Sequence, residues 1–406
     1  MIGLLLFLIA VAFSQALTLE QAVELAIKNN TSARLSLLDL QKTEEAIRKA
    51  RAGILPQVSF SYNYTRLSPD LAFGFTPKNR QAYSLEVDQT VFNKAVFEGI
   101  KLASLQKELQ ELIREDVLRQ VEFQTKQFFY ALLYKQQVVK LLEENLRYWE
   151  ENYRQTEGKF KAGVVPKVEL MRAKAQLELA KAQLESAGAD YSKSLEDFKA
   201  FLRYEGELKL EGELKEVNVP QQDYEKLLLE KNSTIRVARK NLEVFQRAVE
   251  VQKAQYYPSL DLFATYQGST ARLGSETKLL EGYTFGARLN YKLFDGFARE
   301  ASIAQAKIDL LRQQENYVDT ELTQKASLRK TLEDIKALKT QLEALKLSLE
   351  SAKESLRLST ERYRFGVATQ LEVLDAISNY NSTLQNYYYT LYLYNTAVAQ
   401  LERLTR

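Results

Sequence analysis

The chain has 406 residues, with 56 lysines and arginines against 53 aspartates and glutamates, and neither cysteine nor histidine. Those two absences exclude disulfides, thiolate nucleophiles, Cys/His zinc sites and imidazole acid–base chemistry. Only 6 prolines and 15 glycines, with 27% charged and 45% hydrophobic residues, suit long amphipathic helices better than a loop-rich catalytic domain, so no enzyme is expected.

In chain order, Ile2 to Phe13 is an apolar run followed by Ser14-Gln15-Ala16. A short apolar core ending in a small-x-small site predicts a secretory signal peptide over residues 1–16, cut after Ala16. The mature chain carries no cysteine for a lipid anchor and no apolar stretch long enough for a transmembrane helix. After a first helix the period changes at Pro56. Val58, Phe60, Tyr62 and Tyr64 alternate with Ser59, Ser61, Asn63 and Thr65, and Tyr83, Leu85 and Val87 alternate with Ser84, Glu86 and Asp88, predicting a β-hairpin over about 58–92. A long helix is expected over about 93–157, a turn over 158–166 and a return helix over 167–204. Between Gly99 and Gly158, and again from Phe297 to Phe365, neither proline nor glycine occurs. Read as helices, those runs are roughly 85 and 100 Å long.

Residues 205–222 form a linker, and the pattern then repeats. At an offset of 202, Asn30, Arg34, Pro56, Tyr64 and Phe92 fall on Asn232, Arg236, Pro258, Tyr266 and Phe294; at 203, Gly163, Val164, Glu169 and Tyr191 fall on Gly366, Val367, Glu372 and Tyr394. An internal duplication follows, with repeat 1 over 17–204 and repeat 2 over 223–406. The second copy predicts a hairpin over about 259–293 with a loop at Gln267–Gly282, a long helix over about 294–365, a turn at 366–369 and a helix over 370–404. Leu328, Ile335, Leu342, Leu349 and Leu356 recur every seven residues in that long helix, with Leu338, Leu345 and Ala352 between them: a coiled-coil seam.

Ten-residue segments with aromatics on one face and polar groups on the other are the pattern of membrane β-barrel strands. Four strands cannot close a barrel, and open edges are not tolerated in lipid. Two chains would give eight strands and a plugged tube; three give twelve and room for water. The expected fold is therefore mainly α with membrane β, closed as a homotrimer whose four strands per chain make a 12-stranded barrel, with the long helices pointing into the periplasm.

The chain resembles the TolC-like outer-membrane efflux family over essentially all of its mature length. The resemblance rests on the duplication, the Pro–strand junctions at Pro56 and Pro258, Leu293-Phe294-Asp295-Gly296, and the stretch from Arg362-Tyr363-Arg364-Phe365-Gly366-Val367 through Asp375-Ala376. It implies a trimeric duct, a 12-stranded outer-membrane β-barrel continued by a long periplasmic α-helical barrel of coiled-coil hairpins and gated at its periplasmic tip, docking with a periplasmic adaptor protein and an inner-membrane pump of the resistance-nodulation-division or ABC type. The exported cargo would be drugs, metal ions or proteins. Lipidated members carry a cysteine at the mature N-terminus, and others a long C-terminal extension; this chain has neither.

The helix reversals Lys159–Pro166 and Tyr363–Thr369 would form the tip. The resemblance places adaptor docking on Gly163, Val164, Val165, Gly366 and Val367, and acidic gate positions at Glu372 and Asp375, with Glu169 their counterpart in repeat 1. Three copies would ring the axis with carboxylates that select cations. The competing reading is that first-turn carboxylates cap a helix and complement its dipole. Lys161, Lys167, Arg362, Tyr363 and Arg364 are placed to lock the tip. No cofactor, metal site or nucleic-acid partner is expected: lysine and arginine are interleaved with glutamate, leaving no basic stripe, and there is no phosphate loop or nucleophile motif. The alternative function is a trimeric coiled-coil structural or adhesive surface protein anchored by a barrel.

Overall fold

A computed structural model describes residues 16–274, 276–365 and 367–406. The expected signal peptide lies almost wholly outside the described residues, as does Gly366. In chain order the elements are β1 (Ala16–Leu17), α1 (Leu19–Asn29), α2 (Thr31–Ala52), β2 (Gln57–Arg66), β3 (Asn79–Asn93), α3 (Lys94–Lys161), α4 (Lys167–Leu202), β4 (Lys209–Leu210), α5 (Tyr224–Lys231), α6 (Ser233–Lys253), β5 (Ser259–Leu273), β6 (Glu276–Asn290), α7 (Ala298–Arg364) and α8 (Gln370–Thr405). Among the described residues no helix is long and apolar enough to cross a membrane.

The chain divides into two units. The first comprises residues up to Ser36, Arg114–Ser233 and Glu321–Arg406. Here α1 packs on α4 and α5 on α8, the same pairing in each repeat. Phe198 and Leu202 of α4, Leu132 and Leu133 of α3, Leu228 of α5, and Leu391, Tyr394 and Leu404 of α8 are buried. The seam on α7 is observed: Leu328, Ile335, Leu342 and Ala352 are buried, and Leu338, Leu345, Leu349 and Leu356 half-buried.

One hydrogen bond exposes the duplication directly. Asn30, just after α1, donates its side-chain amide to the Phe201 carbonyl near the end of α4 at 3.0 Å; Asn232, just after α5, donates to the Leu404 carbonyl near the end of α8 at 2.9 Å. Each asparagine ends one helix in an extended conformation before the next begins, and each satisfies a carbonyl that the last helical turn leaves orphaned. The inter-repeat linker is held likewise. Asn395 donates to the Lys215 carbonyl (2.8 Å) and accepts from the Val217 amide (3.2 Å), while the Tyr394 hydroxyl donates to the Val217 carbonyl (3.1 Å). At its other end β1 pairs in parallel with β4.

The second unit, Leu37–Ile113 with Thr234–Thr320, holds a four-stranded antiparallel sheet in the order β2-β3-β5-β6. The strands are longer in the second hairpin than the alternation alone indicates. Gln267–Gly282, expected as a loop, is mostly strand, and pairing continues to Leu273↔Glu276. Of the glycines that suggest a loop, Gly274 does turn the chain, with a left-handed φ of 65°, whereas Gly268 serves the sheet, as does Gly286 in the expected strand. Gly268 lies opposite Tyr83, whose ring would stand 2.6 Å from a Cβ there, and Gly286 lies opposite Phe263, at 3.0 Å. An aromatic ring covering a bare cross-strand glycine is a known sheet device.

Candidate functional site

The tip turns are built alike. Past α3, Gly163 takes a left-handed φ of 73°, and the Val164 amide donates back to the Lys159 carbonyl at 2.9 Å. This is the closure that ends a helix by wrapping its last carbonyls. At the equivalent turn the Val367 amide donates to the Arg362 carbonyl at 2.8 Å. Val164 and Val367 are 70% and 68% exposed, and Val165 is half-buried. Both turns thus present apolar side chains to solvent.

The helices that follow differ. α4 starts from Pro166, which offers no side-chain cap. α8 starts from Thr369 with a full capping box: the Glu372 amide donates to the Thr369 hydroxyl (3.3 Å), and the Glu372 carboxylate accepts from the Thr369 amide (3.1 Å). The Thr369 hydroxyl also donates to that carboxylate (3.2 Å), and the two bonds it accepts, the amide's first and then the hydroxyl's, together with the Arg362 charge, hold the Glu372 carboxyl below its ordinary value. Arg362 stands 3.5 Å from Glu372, tying the end of α7 to the start of α8. Capping is therefore a role Glu372 performs within one chain. Asp375, one turn on, is exposed.

In the first repeat Glu169 pairs with Arg172 at 3.2 Å. Arg172 occupies the position equivalent to Asp375, so repeat 1 carries a neutral acid–base pair where repeat 2 carries two acids. Of the residues expected to lock the tip, Lys161 pairs with Glu157 of its own helix at 3.2 Å. The Tyr363 hydroxyl accepts from Lys159 at 3.0 Å, joining α3 to α7, a contact not anticipated from the sequence. Lys167 and Arg364 are exposed.

In the sheet unit the register sorts every side chain onto one of two faces. One face has the rows Val58–Val87–Ala264–Phe285 and Phe60–Leu85–Tyr266–Tyr283. Next comes Tyr62–Tyr83–Gly268–Glu281, where the Tyr83 hydroxyl reaches past the bare glycine to donate to Glu281. The other face has Ser59–Glu86–Thr265–Thr284 and Ser61–Ser84–Gln267–Gly282. It is internally bonded: Ser61 and Ser84 hydroxyls are 2.9 Å apart, Thr90 donates to Asp261 at 2.9 Å, and Arg288 lies 3.8 Å from Asp88 and 4.9 Å over the Phe263 ring. An apolar aromatic face, largely exposed, backs a polar hydrogen-bonded one. That is inverted relative to a soluble sheet packed on a core.

A family profile described as outer membrane efflux protein matches the chain twice, over residues 22–202 and 226–405. The chain belongs to the outer membrane efflux protein family. This efflux protein is 22% identical to the outer membrane protein TolC of Escherichia coli over 388 residues, covering 91% of this chain and 78% of TolC. It is also 22% identical to the proteases secretion protein PrtF of Dickeya chrysanthemi over 320 residues, 74% of this chain and 69% of PrtF. Its fold is that of the Campylobacter jejuni CmeC outer membrane channel, with a TM-score of 0.81, 20% identity, and coverage of 95% of this chain and 85% of CmeC. Two matches in tandem show the internal repeat, and the family locates the chain in the outer membrane.

Proposed function

We propose that this efflux protein is the outer-membrane exit duct of an efflux or type I secretion system, closed by three copies of the chain and gated at the helical tip. The observation that carries this is the four-stranded sheet, apolar and aromatic on one face and polar on the other, ending in the edge strands β2 and β6. Open edges are not stable in lipid, and three sheets joined β6 to β2 make a 12-stranded barrel with its polar faces inward. The size of the apolar face supports the same reading. From Leu289 to Leu279 β6 advances roughly 34 Å along the strand. At the ~45° tilt of such strands this gives about 24 Å of height, against a lipid-facing band of about 25 Å.

The duct has no chemistry of its own; a partner pump supplies the energy. Val164, Val165 and Val367, beside Gly163 and Gly366, offer the apolar contact for a periplasmic adaptor protein. Gate charge comes from repeat 2: Asp375, with Glu372 contributing while it also caps α8. Glu169, paired with Arg172, adds little net field.

The test is conductance of the reconstituted protein in planar bilayers. Cation selectivity is expected to fall in Asp375→Asn and further in Asp375→Asn with Glu372→Gln, and to stay unchanged when the neutral pair is removed together in Glu169→Gln with Arg172→Gln. Channels with wild-type selectivity in the double variant would remove the carboxylate gate. No conductance in any form would favour the barrel-anchored structural protein.

A further inference from the structure

The apolar face of the sheet changes character towards the hairpin turns. Beyond the row Tyr62–Tyr83–Gly268–Glu281 the register continues to Tyr64↔Gln81 and Thr270↔Leu279, and then to Arg66↔Asn79 and Arg272↔Thr277. Positions two apart on a strand share a face, so Arg66 and Arg272 end the face that Val58 and Ala264 begin. Both arginines are exposed. The two hairpins are tied together at this level: the Gln81 amide donates to the Thr270 hydroxyl at 2.9 Å, and the Arg272 amide to the Phe75 carbonyl at 2.8 Å. With β3 between them, ladder spacing sets the two arginine backbones roughly 10 Å apart. The acids of β6 are engaged elsewhere. Glu276 pairs with Lys278 at 3.1 Å, and Glu281, the other charged side chain of this face among the described residues, accepts from the Tyr83 hydroxyl. Arg272 Nε donates to the Gly274 carbonyl at 3.3 Å, which uses one donor of its guanidinium and keeps the rest.

We propose that Arg66 and Arg272 form a clasp for a phosphorylated lipid headgroup of the outer leaflet, each guanidinium taking one phosphate. The inference rests on the barrel reading above and extends it to the lipid that the barrel selects. Level decides the occupant. Leu279 ends the apolar span at about 24 Å of height, and the arginines stand one step further, roughly 7 Å along the strand and about 5 Å higher at the same tilt, which is past the hydrocarbon and among headgroups. The hairpin turns lie at the opposite end of the strands from the passage of β3 into α3, so with the long helices in the periplasm this is the exterior leaflet. Residue type decides the chemistry. Arginine forks match phosphate oxygens two bonds at a time, and their stems lie along an apolar surface while the charge reaches the headgroups. The polar face pairs its charges instead, Lys278 with Glu276 and Arg288 with Asp88. Asn79 and Thr277, across the ladder from the two arginines, add hydrogen-bonding groups at the same level.

The test reconstitutes the full-length protein into phosphatidylcholine with diphosphoryl lipid A, or with monophosphoryl lipid A of the same acyl chains. The protein is then taken into detergent, and native mass spectrometry counts the lipid each assembly retains. The wild type is expected to retain at least about twofold more of the diphosphoryl form. Arg66→Gln with Arg272→Gln is expected to retain roughly fivefold less of it than the wild type. Arg66→Gln alone, which leaves the Arg272–Gly274 bond in place, is expected to fall between, and Arg80→Gln, on the polar face of the same hairpin, to match the wild type. Equal retention of the two lipids by the wild type overturns the clasp without recourse to any variant. A double variant that retains as much as the wild type overturns it as well, and in either case a lipid-bearing assembly leaves the barrel in place. Displacement of the lipid by an equal concentration of inorganic phosphate would make this a site for free anions and overturn the lipid assignment. A monomer that holds neither lipid A nor phosphatidylcholine overturns the barrel reading and the clasp with it.

Discussion

Two kinds of buried or capped polar contact dominate at the scale of single residues. The first is the asparagine clasp that each repeat places between its shorter helices and the end of its long return helix. Replacing Asn232 by alanine strands the buried Leu404 carbonyl, which costs about 1–3 kcal/mol, and is expected as a lowered thermal midpoint by circular dichroism, with Asn30→Ala behaving alike. The second is the Glu372 cap. Its carboxyl is held below the ordinary value of 4.5, so its contribution to the tip is complete above that value and disappears as the pH falls through the lower, folded-state value. A spin label at residue 367 is expected to be ordered at pH 7 and to gain mobility at pH below 4.5, whereas with Glu372→Ala it is mobile at both. A label equally ordered at all pH values would show that the cap does not hold the turn. The sequence offered both a gate and a cap for Glu372. Thr369 three residues upstream was the available sign of the cap, and the capping box confirms that role while leaving Asp375 as the unengaged carboxylate of the two.

For helices and strands, legibility follows the physics of each pattern. The heptad seam of α7 was legible because burial of a narrow apolar stripe demands a seven-residue period, and Leu342 at its centre is fully buried. Leu342→Ala is expected to cost about 2–5 kcal/mol and Lys336→Ala, on the exposed side, no more than about 0.5 kcal/mol, measured as shifts in the helical unfolding transition. The first hairpin was legible by alternation. The second was misjudged at Gln267–Gly282, because glycine usually marks a turn and nothing local shows that a ring from another strand will lie on it. Tyr83 is 185 residues from Gly268 in sequence and directly opposite it in the sheet. Gly268→Ala is accordingly expected to lower barrel yield and thermal stability by overpacking, about 1–3 kcal/mol, and Gly268→Ala with Tyr83→Ala to recover much of the loss. Failure of that rescue would mean the glycine serves the backbone rather than the ring. The breaks at Asn30 and Asn232 were not read from the sequence either: each interrupts a continuous apolar helical pattern for one residue, and its partner carbonyl lies more than 170 residues away.

The whole molecule is set by duplication and by an open sheet. Two copies of one unit share helix pairings, asparagine clasps and turn closures, yet diverge at the tip, where Glu169–Arg172 in one faces Glu372 and Asp375 in the other. In the proposed ring of three chains, that divergence would alternate neutral and acidic turns. The sheet divides its side chains between a face suited to lipid and a face suited to water, and among the described residues it has four strands, one third of the proposed barrel. The most direct test of the exit-duct reading is therefore the mass of the full-length protein purified from outer membranes in detergent, by light scattering corrected for bound detergent. Three chain masses are expected, each close to the 46.7 kDa of the full sequence less any leader removed. A monomer or dimer that stays soluble without detergent would mean that the aromatic face never meets lipid, and would contradict the duct.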